Sequence, residues 1–184
     1  MDVELRRDFG EFVASRGHAL FRTAIALTGQ RQQAEDLMQS ALANTVRHWH
    51  RIRLGAPEAY LRTVMVRQYT SWWRQAVRRP EVVVADVPDL PAGDDADAAR
   101  TDTRLAVRAA VARLAPRQRA ILVLRYFEDL SDADIATILG CGESTVRSQA
   151  LRALRRLRAL HPDLAALTYD QSSAREQPVK ETAA

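Results

Sequence analysis

A single cysteine, Cys141, excludes an intramolecular disulfide in this chain and fits a reducing compartment. Long apolar runs are absent too: nothing approaches the roughly 20 residues needed to span a bilayer. The opening residues are charged and carry no apolar h-region, so no signal peptide is expected, and a cytoplasmic location is. Glycine is scarce, at seven residues, and no Gly-rich stretch has the form of a phosphate-cradling loop. Four histidines leave little material for acid–base or metal chemistry. His48 and His50 are two apart, which points them in different directions on a helix. No cysteine or carboxylate joins them at ligand spacing, so no metal site and no cofactor are expected. No nucleophile–base pattern is visible either, which argues against an enzyme. Cys141 has no resolving cysteine and reads as a small packing residue. Alternating strand patterns are missing, and VVV at residues 82–84 stands alone without a partner strand.

What the chain does have is apolar residues and unevenly placed charge. Its 184 residues are 47% hydrophobic, enough for one medium or two small packed domains. The net charge is only +4, but residues 60–79 hold five arginines and no acid. Residues 80–104 then hold seven acids against two arginines, and residues 143–160 hold five arginines against one glutamate. Two basic blocks therefore flank an acidic one, and clustered arginine is the footprint of a polyanionic partner.

Helical periodicity runs through both basic zones. Residues 5–28 read as one helix, with Arg16-Gly17 the point where a break would fall, and Gly29 as its C-terminal cap. Residues 31–50 read as a second, with Ala34, Leu37, Met38, Ala41, Leu42, Thr45 and Trp49 at helical spacing. RIRLGAPE at residues 51–58 is a turn, and Pro57 suits the first turn of a third helix that extends to about residue 78. Three prolines, a glycine and acids make residues 80–102 a linker, the DDAD run within it being solvated charge rather than a metal motif. Beyond it, LAVRAAVARL, PRQRAILVLRYFED, SDADIATIL and the stretch from residue 143 read as four short helices. Ser131 and Asp134 form a capping-box-like pair, and Gly140 ends the helix they start. The fold class expected is all-α: two small helical domains, residues 5–79 and 103–160, joined by the acidic linker 80–102 and followed by a disordered tail, residues 161–184.

Residues 132–157 have the pattern of a helix-turn-helix. Ala136 is small where two helices approach, Gly140 lies four residues later at the turn, and Val146 six residues after that faces back between the helices. Ile135, Leu139 and Val146 would make its small core. The second helix keeps Val146, Ala150, Leu154 and Leu157 on an apolar stripe and turns Ser148, Gln149, Arg152, Arg155 and Arg156 away from it. Such a helix enters a DNA major groove, early residues reaching base edges and later arginines reaching phosphates. Thr145, Arg147, Ser148 and Gln149 are therefore assigned to bases, and Arg152, Arg155 and Arg156 to backbone or mixed contacts. Ser144 is the expected N-cap. On charge alone, a solvated basic face of a helical bundle would fit equally well.

The other basic stretch, YLRTVMVRQYTSWWRQAVRR at residues 60–79, differs in kind. Leu61, Met65, Tyr69, Trp72 and Ala76 form one stripe, read as core. Arg62, Val66, Trp73 and Arg74 point elsewhere. Aromatics interleaved with arginines suit single-stranded nucleic acid, with bases stacking on rings and guanidinium groups pairing with phosphate. The plainer alternative is that both tryptophans simply pack.

Taken together, these stretches resemble the extracytoplasmic-function (ECF) group of bacterial RNA polymerase sigma factors over about residues 10–160. AEDLMQSALANTVRHW, residues 34–49, is similar to the family's core-polymerase-binding helix. PEAYLRTVMVRQYTSWWRQ, residues 57–75, is similar to its promoter-melting and −10-reading helix, and residues 114–158 resemble its −35-reading domain. YLRTVMV followed by SWW resembles the actinobacterial SigE-like branch. The resemblance implies an alternative sigma factor that binds core RNA polymerase and directs promoter-specific initiation. The implied partners are the polymerase, at the clamp helices of its largest subunit and at the flap, and promoter DNA. An anti-sigma factor, where one exists, would clamp the same polymerase-binding surfaces. Asp36, Leu37 and Gln39 match the docking positions. Ser144, Thr145, Arg147, Ser148, Gln149, Arg152, Arg155 and Arg156 would serve the −35 element. Arg53, Tyr60, Arg62, Thr63, Arg67, Trp73 and Arg74 would serve the −10 strand, the turn at 51–58 receiving a flipped base.

Two departures matter. Arg67 stands where many relatives carry Asn, and Ser71 where they often carry Asp, so no −10 sequence is predicted. Two other readings compete: a stand-alone helix-turn-helix regulator that binds duplex without polymerase, and a sigma-like protein that binds polymerase without directing initiation.

Overall fold

A computed structural model of the chain describes residues 3–78, 107 and 109–160, and every regular element among them is helical. The N-terminal half is built from α1 (Val3–Thr28), α2 (Arg31–Arg47), the single turn α3 (Trp49–Ile52) and α4 (Pro57–Arg78). The C-terminal half is built from a short helix α5 at residues 109–112, α6 (Pro116–Leu122), α7 (Asp132–Leu139) and α8 (Glu143–Leu160). The linker 80–102, its VVV segment and the tail 161–184 lie outside the described residues.

α1 is one helix as read from the sequence, and it runs unbroken through Gly17, the point where a break would have fallen. Both of its halves have something to pack on, which is the physical reason. Leu20, Ala24 and Leu27 are buried in its second half. In its first half, Phe9 and Phe12 lie against Trp49, with ring centroids 5.0 and 5.1 Å away. Trp49 in turn explains why α2 stops short of residue 50. His48 leaves helical geometry, and the chain restarts as α3 with Trp49 buried against α1. The turn expected at 51–58 is therefore partly helical, and only residues 53–56 connect α3 to α4. Gly29 ends α1 with φ 78°, its N–H donating to Ile25 O at 2.8 Å, and Pro57 opens α4 as expected.

On α4, Leu61, Met65 and Tyr69 are buried and Trp72 packs half-buried against the same core. Val66 does not point away as expected but is fully buried. The reason is that α4 is covered on two sides, by α1 and α2 and by α6 and α7 of the C-terminal half. The two halves thus share one apolar cluster, running from Leu20 and Leu37 through Val66 and Ile121 to Ile135 and Val146. Each such side chain, once buried, contributes about 1.5–3 kcal/mol.

In the C-terminal half Pro116 starts α6, but the plain helix expected over 116–129 changes character. Residues Val123–Phe127 form a π turn, with Glu128 N–H donating to Val123 O at 3.1 Å. Ser131 caps α7 by accepting from Asp134 N at 3.1 Å, and its hydroxyl reaches Asp134 Oδ2 at 2.6 Å. Gly140 closes α7 at φ 61°, a conformation that an L side chain resists. Ile135 and Val146 are fully buried behind that turn, Ile138 joins them, and Leu139 is half-buried.

Candidate nucleic-acid interface

Two helices carry the basic residues, and the fold treats them differently. α8 buries Val146, Ala150 and Ala153 and leaves the opposite side to solvent. Ser144, Arg147, Ser148, Arg152, Arg155 and Arg156 are exposed, and Thr145 is half-buried. Arg147 pairs only loosely with Glu143 one turn earlier, at 3.3 Å. Arg152, Arg155 and Arg156 have no ion-pair partner among the described residues. Three arginines free at one face, with a fourth beside them, concentrate positive potential along a helix of groove-filling dimensions.

Two expectations on α8 need correction. Ser144 is not the N-cap: the helix begins at Glu143, Thr145 and Val146 donate to Gly142 O at 3.0 and 3.2 Å, and Ser144 sits within the first turn. Gly142, whose carbonyl accepts both of those bonds, stands at the helix start instead. Gln149 is not free on the outer face either. It is half-buried on the flank toward α6, where its Oε1 accepts from Gln118 Nε2 at 3.2 Å.

α4 presents its polar residues into a groove beside α2, lined by Asn44, His48, Tyr60, Arg67, Ser71 and Trp72 among others. Tyr60 is half-buried there, its ring 6.4 Å from that of His48. Thr63 is half-buried, and its hydroxyl donates to Ala59 O at 2.8 Å. Trp73 is half-buried against the core, as Trp72 is, so packing engages both indoles. Arg74 is exposed. Arg53, on the connection before α4, is held by Asp8 at 2.9 Å.

Arg62 and Arg67 are engaged across the molecule. Arg62 Nη2 donates to Glu58 Oε1 at 3.1 Å, and its Nε lies 2.7 Å from Glu128 Oε2 without the alignment of a hydrogen bond. Thr23 Oγ1 donates to the other oxygen of Glu128. Arg67 Nε donates to Ile138 O at 3.0 Å and its Nη2 to Thr137 O at 3.4 Å, both at the end of α7. Beside them Tyr69 is buried with no aligned partner for its hydroxyl. Burial pushes its pKa up to about 12, against the opposing pull of Arg119 and Trp73.

Sequence reasoning missed Arg119, Glu128 and Thr23, which join the halves. Arg119 is 4% exposed. It donates to Leu27 O and Thr28 O, both at 3.1 Å, which are carbonyls at the end of α1. It also donates to Val111 O at 3.0 Å and to Ala112 O. The signal was there to be found: Arg119 stands three and four residues before Leu122 and Val123, on the apolar stripe of α6. A charge on a core stripe marks a buried network.

Of the three residues matched to polymerase docking, Asp36 and Gln39 are exposed on α2. Leu37 is fully buried in the core and offers no surface. It lies on the stripe with Ala34, Met38 and Ala41, and that stripe faces inward.

Residues 12–79 match the sigma-70 region 2 family, and residues 104–157 match sigma-70, region 4. The RNA polymerase sigma-E factor of Streptomyces coelicolor is 41% identical over 154 residues, covering 82% of this chain and 84% of the relative. The ECF RNA polymerase sigma factor SigL of Mycobacterium tuberculosis is 35% identical over 144 residues, covering 76% of this chain and 80% of the relative. Among solved structures, the sigma factor RpoE from Bartonella quintana, crystallised with the anti-sigma factor NepR, superimposes with a TM-score of 0.68 at 26% identity. It covers 84% of this chain and 96% of that one. With two helical halves in this order and relatives of this closeness along most of its length, the chain belongs to the sigma-70 family of RNA polymerase sigma factors, in the ECF group.

Proposed function

We infer that this sigma factor reads its promoter with two differently prepared helices, α8 on −35 duplex and α4 on the −10 strand. Like its family, it binds core RNA polymerase and directs promoter-specific initiation, acting on transcription as a regulator. It is not an enzyme, and it works in the cytoplasm, where its polymerase and promoters are. Residues 5–79 serve polymerase binding and the −10 element, 103–160 the −35 element, and 80–102 connect them.

The observation that carries this reading is the open arginine face of α8 behind a glycine-turned α7. Arg147, Ser148 and Thr145 lie early on that helix and suit base edges; Ser144 lies beside them. Gln149 has one end of its amide already engaged by Gln118, leaving the other for a base. Arg152, Arg155 and Arg156 suit phosphates. On α4 and before it, Arg53, Tyr60, Arg62, Thr63, Arg67, Trp73 and Arg74 are the set for the melted strand. Asp36 and Gln39 are the exposed positions for docking on the largest-subunit clamp, with the flap as second contact. The co-crystallised relative from Bartonella quintana supports an anti-sigma factor as a further partner.

Transcription from genomic promoter fragments, with bacterial core polymerase and with or without this chain, tests the reading. Promoter-specific transcripts that require both components are expected. Core binding without initiation would favour a polymerase-interaction protein, and duplex binding without core affinity would favour a stand-alone regulator. The pair Asp36→Ala with Gln39→Ala should lower core affinity and leave the helical content intact.

A further inference from the structure

The outer face of α8 carries one side chain that its charge does not account for. Leu151 is 48% exposed, and between Ser144 and Arg158 it is the one large apolar residue on that face. The apolar stripe of the helix lies elsewhere: Val146, Ala150 and Ala153 are buried, and Leu154 and Leu157 pack half-buried against the same core. At 3.6 residues per turn, Leu151 stands about 120° round from the middle of that stripe. Arg147 lies one turn before it and Arg155 one turn after, both exposed. A lone surface leucine is ordinary. This one stands among the guanidinium groups assigned to DNA.

Phosphate oxygens and most base edges ask a protein for hydrogen bonds, which a leucine cannot make. The one apolar group that the base edges show in the major groove is the C5-methyl of thymine. Along the helix axis Leu151 lies about 6 Å beyond Arg147, the residue assigned to base edges, and that is close to two base-pair steps. We propose that Leu151 is a specificity-determining residue of the −35 contact, reading the C5-methyl of a thymine about two base pairs from the pair that Arg147 meets. It adds what the arginines of this face lack. A methyl contact favours T·A over C·G, whose cytosine has no methyl group, and it releases no counterion. The proposal rests on reading α8 as the −35 helix.

Holoenzyme assembled from bacterial core polymerase and the full chain first selects its −35 duplex from a randomised pool. Each thymine of the selected duplex is then replaced singly by deoxyuracil, which removes the methyl group and keeps every hydrogen bond. For wild type, one such replacement should weaken binding about fourfold, the effect of one buried methylene-sized group. Leu151→Ala should lose about as much on the thymine duplex and should bind the thymine and uracil forms alike. Leu151→Met, still long and apolar, should keep the preference. Helical content should be unchanged in both variants, because position 151 is exposed and both replacements are good helix formers. A Leu151→Ala chain that keeps the full thymine-over-uracil preference, or that loses affinity for both forms by the same factor, would overturn the methyl contact. So would a wild type indifferent to uracil at every position. A pool that yields no enriched duplex would instead overturn the assignment of α8 to the −35 element, and the methyl contact with it.

Discussion

α4 and α8 carry arginines at similar density, yet Arg62 and Arg67 on α4 end on protein oxygens while those along α8 stay open to solvent. On α8 the apolar stripe is narrow, built from Val146, Ala150 and Ala153, and the guanidinium groups extend into water. On α4 burial reaches around to Val66, and Arg62 and Arg67 end on protein oxygens. An exposed basic helix is ready for a rigid partner such as duplex, whose phosphates meet it without rearrangement. A helix with occupied donors meets DNA only by exchanging partners, which suits a strand that must itself leave a duplex. Basic composition alone therefore does not say how a helix binds nucleic acid. What its arginines touch in the free protein does.

The largest test of a tied against a free arginine is Arg119, the buried guanidinium that α6 holds against the end of α1. Removing it leaves carbonyls of Leu27 and Thr28 without donors in the interior. At about 1–3 kcal/mol for each unsatisfied buried group, Arg119→Ala should cost roughly 3 kcal/mol or more of folding stability, read from the urea midpoint. Arg156→Ala on the free helix should stay within about 0.5 kcal/mol. Equal effects would erase the difference between an arginine bound in the interior and one left in water.

Tyr69 gives the next effect. Its pKa, raised from 10.0 to about 12 by burial, means that the folded state holds the phenolic proton more tightly than the unfolded chain. That contribution is fully present below pH 10 and is lost as pH rises through about 12. At 1.36 kcal/mol per pKa unit it amounts to about 2–3 kcal/mol. Wild type should therefore lose stability over this alkaline window relative to Tyr69→Phe, and parallel curves for the two proteins would contradict a buried hydroxyl on α4.

Much of this architecture was legible in the sequence because local chemistry dictated it. Pro57, Gly29, Ser131 and Gly140 each set a helix end through a fixed φ, a positive φ or a capping oxygen, and those ends stand where the sequence places them. What periodicity could not foretell depended on contacts distant along the chain. Trp49 left the α2 stripe because Phe9 and Phe12 lay across from it. Val66 looked exposed because nothing local announced that α6 and α7 would cover α4. Leu37 was matched to docking by motif, although its own spacing with Ala34 and Ala41 already put it on the inward stripe. Glu128 and Thr23, 105 positions apart, carry no local signal of meeting.

On α8 itself, Arg147→Ala should weaken −35 duplex binding by about 1–3 kcal/mol, the loss of one good base contact, with stability unchanged. Unaltered promoter affinity in titrations of the polymerase holoenzyme would remove Arg147 from the base-reading set.

The smallest effect separates positions within that same helix. Arg155 and Arg156 lie beyond the first turns of α8, exposed and unpaired among the described residues. If they meet phosphates, each Ala substitution should weaken binding to all duplex sequences alike. Each should also flatten the dependence of log affinity on log salt by about one unit, because one fewer counterion is released. Arg147→Ala should change the preference among sequences more than it changes that slope. A residue that reads bases alters which DNA is chosen; one that reads backbone alters only how strongly any DNA is held. If Arg155→Ala shifted sequence preference as Arg147→Ala does, the base-reading segment would extend through a further two turns, and α8 would have to lie along the groove rather than enter it by its N-terminal end.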